Sequence, residues 1–193
     1  MASPLTTLVG ENLGEGYYKW SDSVYCNGNH HVYGIPLTAN RDLKFNPTDK
    51  SSAPIEPDLG DRYKYDGGTE DEKGCIYCTP HDCWNTRGML KIETNTDNVT
   101  ILDARPPEEE EGQHNTGTGR YFKWTKGALG LDGNIYFMPM DFASRILKLI
   151  PTPILLKVLE TNWEKDSIVV GIAGQSVAST GAFMEFLICP ITL

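Results

Sequence analysis

Along most of this chain, apolar and polar residues alternate with a period of two, in short runs closed by glycine or proline. Residues 120–151 show it best. Phe122 and Trp124 fall on one strand face and Lys123 on the other. Asp132-Gly133 is a turn dipeptide, because glycine accepts the positive φ of a tight hairpin. Ile135-Tyr136-Phe137-Met138 follows and stops at Pro139, which cannot donate to a ladder; Ile146 to Leu149 then alternates up to Pro151. Three strands with hairpin-length links predict an antiparallel meander, and no helical period of useful length competes with it.

The unit recurs. Tyr18-Lys19-Trp20 and Tyr63-Lys64-Tyr65 correspond to Phe122-Lys123-Trp124. Tyr33 and Tyr77 correspond to Tyr136, and Leu43-Lys44-Phe45 and Leu90-Lys91-Ile92 to Leu147-Lys148-Leu149. The anchor prolines are Pro36, Pro80 and Pro139, spaced 44 and 59 residues apart, the longer step reflecting an insertion near residues 106–119. A degraded fourth copy ends at Pro190 after Phe186-Leu187-Ile188-Cys189. Periods of this length with several strands per copy predict an all-β chain folded as a β-propeller of about four blades.

The pattern of aromatic-Lys-Trp, then Asp-Gly with Ile-Tyr and proline, then Arg with Leu-Lys and proline, resembles tandem propeller repeats of hypothetical proteins from unicellular eukaryotes. More distantly it is similar to the NHL and gluconolactonase-like propellers. The resemblance covers residues 5–160 well and implies a fold without an activity. Gluconolactonase-like enzymes hold a divalent metal with Glu, Asn and Asp side chains in the channel, but that motif has no residue-by-residue match here, so no catalytic residue carries over.

At 193 residues the chain suits a single domain over 1–193. Blade 1 is expected at about 17–58, blade 2 at 59–103, an acidic loop at 104–119, blade 3 at 120–160 and a partial blade 4 at 161–193. The strand count leaves the ring open. An N-terminal strand within residues 5–9 completes the last blade, or the chain is part of a longer ring, or copies associate through exposed sheet edges. Residues 66–74 read as a hairpin loop by composition, and 104–119, with four consecutive glutamates, as a solvated excursion. Residues 99–102 read as an outer strand, 154–159 as an outer strand or a short helix, and 168–173 as a strand.

A net charge of −9, from 17 basic and 26 acidic residues, argues against nucleic acid as partner. No stretch resembles a signal peptide or a membrane span, so a cytoplasmic chain with no membrane partner is expected. Five cysteines without an export signal suggest reduced thiols.

Cys75, Cys78, His81 and Cys83 have zinc-like spacing. The repeat argues otherwise: Cys75 and Cys78 flank the Ile76-Tyr77 strand, and residues i and i+3 of a strand point to opposite faces. Ordinary packing cysteines are expected, with Cys26 and Cys189 among them. His30-His31 lies at a turn and His114 in the acidic loop; Asn98-Val99-Thr100 matches a glycosylation acceptor but is idle without export. The repeated lysines Lys44, Lys91 and Lys148 read first as hydrogen-bond or salt-bridge donors between blades.

Links between second and third strands gather on one end of a propeller. Here they carry Asn40, then His81, Asp82 and Asn85, then Asp141, a set suited to hydrogen-bonding a small ligand or to holding a divalent cation through oxygen. No nucleophile motif, P-loop or dinucleotide fingerprint is present. The leading expectation is a non-catalytic propeller module binding a protein or small ligand on one face. Its rivals are a metal-dependent hydrolase or lactonase using Asn40, Asp82, Asn85 and Asp141, and a truncated copy of a longer propeller.

Overall fold

The computed structural model describes residues 6–60, 63–81, 88–103, 124–140, 145–152, 154–159 and 171–172. These form three antiparallel sheets met in chain order, each a meander whose neighbours in space are neighbours in sequence. Blade 1 is β1 (Trp20–Tyr25), β2 (Val32–Pro36), β3 (Asp42–Phe45) and β4 (Ser52–Ile55). Blade 2 is β5 (Tyr65–Glu70), β6 (Cys75–Pro80), β7 (Met89–Glu93) and β8 (Asn98–Leu102). Blade 3 is β9 (Trp124–Leu129), β10 (Ile135–Pro139), β11 (Ile146–Pro151) and β12 (Ile154–Leu159), with β13 (Gly171–Ile172) added outside β12. The first strands β1, β5 and β9 lie side by side, so the sheets are blades about a common axis and the fold is a β-propeller.

Two apolar clusters are the two seams between blades. One joins Val24, Tyr33, Ile35 and Ile55 of blade 1 to Tyr65, Ile76, Cys78, Leu90 and Ile92 of blade 2. The other joins Tyr77, Met89 and Leu102 of blade 2 to Trp124, Ile135, Phe137, Leu147 and Leu149 of blade 3. Strand alternation dictates this division: in β6, Ile76 and Cys78 face the first seam, while Tyr77 faces the second with Cys75 packed beside it. The cysteine pair thus points two ways and cannot close one tetrahedral site.

Within each blade the tyrosine of the second strand stands directly across from a lysine of the third: Tyr33 opposite Lys44, Tyr77 opposite Lys91, Tyr136 opposite Lys148. Each lysine has a carboxylate. Lys44 meets Asp97 of blade 2 at 2.7 Å, Lys91 meets Glu93 at 2.6 Å and Lys148 meets Asp132 at 3.1 Å. Only the first of these crosses between blades. Tyr33 adds to it, donating to the Thr94 carbonyl and to Asp97 at 3.1 and 3.0 Å.

Two expectations need correction and one open alternative is decided. Residues 66–74 are not a hairpin loop: Asp66 to Glu70 continue β5, and the turn is confined to 71–74. Gly67 and Gly68 are there for close approach, since a Cβ on Gly67 would lie 2.9 Å from Lys126 Cβ and one on Gly68 2.9 Å from Ile76. Residues 6–9 belong to no strand, with Leu8 fully exposed. Residues 154–159 resolve as strand rather than helix. The acidic loop 104–119 lies outside the described residues, as does the expected partial blade 4 at 161–193 except for residues 171–172, which pair with β12 in the sheet of blade 3.

Gly127 lies opposite Phe137, whose ring covers it. A Cβ there would stand 2.6 Å from Phe137 and 2.7 Å from Ile135. Gly127→Ala should lower stability by about 1–3 kcal/mol, as overpacking does, read as a fall in the urea midpoint without a change in slope. Tyr33→Phe should cost about 1–2 kcal/mol, since both acceptors of the hydroxyl are held in the seam. An unchanged midpoint for Tyr33→Phe would show that the inter-blade bond contributes nothing net.

Candidate functional site

The end of the propeller where the first strands begin is held by backbone bonds between links and strand entries, one of which crosses between blades. In blade 1, the link after β2 is pinned to the entry of β1, with Leu37 and Ala39 amides donating to the Lys19 carbonyl at 2.9 and 3.0 Å. Lys64 then bridges the blades: its amide donates to the Leu37 carbonyl at 3.0 Å, and its carbonyl accepts from the His81 amide at 2.7 Å. The link carrying Asn40 and the start of the link carrying His81 are therefore fastened to one residue.

Of the expected site residues, Asn40 is exposed and acts as a staple. Its carbonyl accepts from the Leu59 amide at 2.7 Å and its side-chain amide reaches Asp58 at 3.4 Å. His81 is 2 % exposed, its ring stacked on Tyr63 with centroids 5.3 Å apart. Asp82, Asn85 and Asp141 lie outside the described residues.

Two charged residues not singled out as site residues in the sequence are buried at this same end. Lys64 is 4 % exposed and its ammonium donates to the Gly60 carbonyl at 2.8 Å. Asp42, at the start of β3, is 1 % exposed, and neither carboxyl oxygen has a hydrogen-bond partner in another of the described residues. Burial raises its pKa from 3.8 to about 7, with its own backbone amide and the Lys64 charge offsetting part of the rise. The repeat offered a signal for Asp42, because the corresponding positions hold Met89 and Ile146.

Closer to the axis, Asp22 of β1 reaches Lys126 of β9 at 2.9 Å. Gly67 lies between them and leaves room for the contact. Asp66 is shifted upward by desolvation, a rise that His81 opposes and Asp22 reinforces. Among the described residues no three His, Cys, Asp or Glu side chains converge on a point where a metal ion would sit.

The three described thiols, Cys26, Cys75 and Cys78, are poor nucleophiles. Burial pushes Cys26 up to about 12 and raises Cys75 and Cys78 too, so the reactive thiolate is scarce at neutral pH. What the described residues of this end offer is buried charge, Asp42 and Lys64, beside hydrogen-bonding links.

Asp42 makes stability depend on pH. Its pKa is higher folded than unfolded, so its contribution is fully present below about pH 4 and is lost as pH rises through about 7. Asp42→Asn should flatten that part of the profile, gaining on the order of 2–4 kcal/mol over the parent at pH 8 and little at pH 4. Chemical denaturation at the two pH values measures the difference; equal gains at both would mean that Asp42 does not titrate in this range.

The sequence matches no protein-family model and no curated protein. Among solved structures, the chain is similar to a presumed gluconolactonase, at 13% identity and a TM-score of 0.46 over 75% of this chain and 57% of that one. It is also similar to a catalytically inactive virginiamycin B lyase from Staphylococcus aureus with quinupristin, at 16% identity and a TM-score of 0.46 over 86% of this chain and 59% of that one. The chain thus spans less than two thirds of the length of either.

Proposed function

We propose that this chain is a non-catalytic β-propeller module that binds a small polar ligand or a protein segment at the end where the strand links of blades 1 and 2 meet. The observation that carries the reading is Asp42, a carboxyl buried without a hydrogen-bond partner in another of the described residues, where the sister blades hold methionine and isoleucine. A buried acid of this kind opposes folding, and such local conflicts concentrate at functional sites. Asn40 and His81 belong to the same end, and the repeat assigns Asp82, Asn85 and Asp141 to the corresponding links.

Free Cys26, Cys75 and Cys78 fit a reducing, cytoplasmic setting. No helix of the described residues is long and apolar enough to cross a membrane. The acidic balance of the chain favours partners other than nucleic acid.

A thermal-shift screen of small polar compounds and short peptides tests the reading. A ligand of the folded state must raise the melting temperature in proportion to its concentration over Kd. Combining Asn40→Ala with Asp42→Asn should weaken such a ligand at least about tenfold, the loss of one hydrogen bond to a charged group. Calcium, magnesium, manganese and zinc should leave the melting temperature unchanged. A concentration-dependent rise with any one of them would overturn the non-catalytic reading in favour of a metal-dependent hydrolase.

A further inference from the structure

Each blade has a face toward the preceding blade and a face toward the following one, and the repeat makes these faces comparable position by position. On the preceding side, blade 2 presents Tyr65, Ile76, Cys78, Leu90 and Ile92, and blade 3 presents Trp124, Ile135, Phe137, Leu147 and Leu149; all ten are buried. Their counterparts in blade 1 are Trp20, Val32, Gly34, Leu43 and Phe45, and every one is only half-buried. A segment before β1 leans on this face without filling it, leaving a cleft of about 430 Å³ lined by Trp20, Leu43 and Pro54 and, toward the strand links, by Asn40, Asp42 and Asp58 among others.

The following side of blade 3 shows the converse. Tyr33 and Tyr77 are 0 and 2 % exposed, whereas Tyr136 is half-buried. Ile35 and Thr79 are both at 0 %, whereas the corresponding Met138 is 46 % exposed. Lys148 already has its carboxylate within its own blade in Asp132, so this face needs no acidic residue from a following blade, unlike Lys44 with Asp97. Among the described residues, the outer faces of blades 1 and 3 are thus less buried than the faces of the two kinds that pair at both internal seams.

We propose that these faces dock on each other between two copies of this chain, blade 3 of one molecule seating on blade 1 of the next and repeating the internal seam. A second copy is the occupant the observations favour because the described residues carry a face of each kind, and the two internal seams show how a face of one kind packs on a face of the other. Tyr136 and Met138 of one molecule then take against Trp20 and Leu43 the places that Tyr33 and Ile35 hold against Tyr65 and Leu90. The contact is head-to-tail, so it closes a ring or extends, according to the rotation per copy. The blade 1 face borders the proposed ligand end, since Asn40, Asp42 and Asp58 line the same cleft; the two readings are told apart by mass, which a small ligand leaves at that of one chain.

Light scattering behind size-exclusion chromatography tests it over a wide concentration range. The expected result is a mass that rises to twice the 21.4 kDa of one chain or more. Leu43→Asp on blade 1 and Met138→Asp on blade 3 should each give a monomer. Mixing the two variants should restore a dimer, because one blade-3 face and one blade-1 face remain intact between them. A monomeric parent at every concentration overturns the proposal, as does an assembly that survives both substitutions or a mixture that fails to reassociate. Met138 lies on the surface, so its variant keeps the test decisive even where Leu43→Asp does not fold.

Discussion

The middle blade is packed on both faces, and that single constraint organises the rest. A sheet with one wet face alternates apolar and polar residues, whereas a sheet between two neighbours must offer each a separate apolar surface. β6 does this within four residues, sending Ile76 and Cys78 to blade 1 while Cys75 and Tyr77 turn to blade 3. Polar groups tolerated in such a strand must be closed locally. The tyrosine hydroxyls and lysine ammonium groups meet this need by standing across from each other beside carboxylates: Tyr33 and Lys44 share Asp97, Tyr136 and Lys148 share Asp132, and in the middle blade Lys91 has Glu93 while Tyr77 has Asp71.

The same constraint explains the glycines of the inner strands. Near the axis the blades converge, and a side chain on every residue would hold them apart. Gly67 gives up its side chain so that Lys126 can cross to Asp22, linking the first and third blades over the second. Gly68 admits Ile76 from its own blade and Ile35 from blade 1, and Gly127 lies beneath the Phe137 ring. Two aspects of geometry, close approach and positive φ, meet at Gly67, whose φ is +98°.

What was legible in the sequence was whatever the three copies share. Aromatic, lysine and proline markers recur because each blade solves the same packing problem, so the strands around Tyr33, Tyr77 and Tyr136 could be placed before any coordinate was known. Composition misled where one residue type serves two purposes. Gly67-Gly68 reads as a turn in isolation, since turns are the commonest reason for paired glycines, and only the approach of Lys126 and Ile35 shows the other reason. The candidate site was less legible still. Asn40 was singled out for chemistry that any link residue shares, and its carbonyl and amide are occupied in fastening residues 58 and 59.

Differences between copies carry the information that the shared pattern cannot. Asp42, Met89 and Ile146 occupy one position in three blades of the same shape, so local strand geometry does not require an acid there. The packing argument favours the apolar residue, because a carboxyl with no hydrogen-bond partner in another of the described residues loses solvation without recovering it there. The nearby Lys64 ammonium supplies only a partial remedy, since it is itself committed to the Gly60 carbonyl. An ordinary surface substitution would leave no such conflict. Among the described residues, the acid sits at the end where links of blades 1 and 2 are fastened through the Lys64 backbone, so its cost in burial falls on the end proposed to take the ligand rather than on a seam.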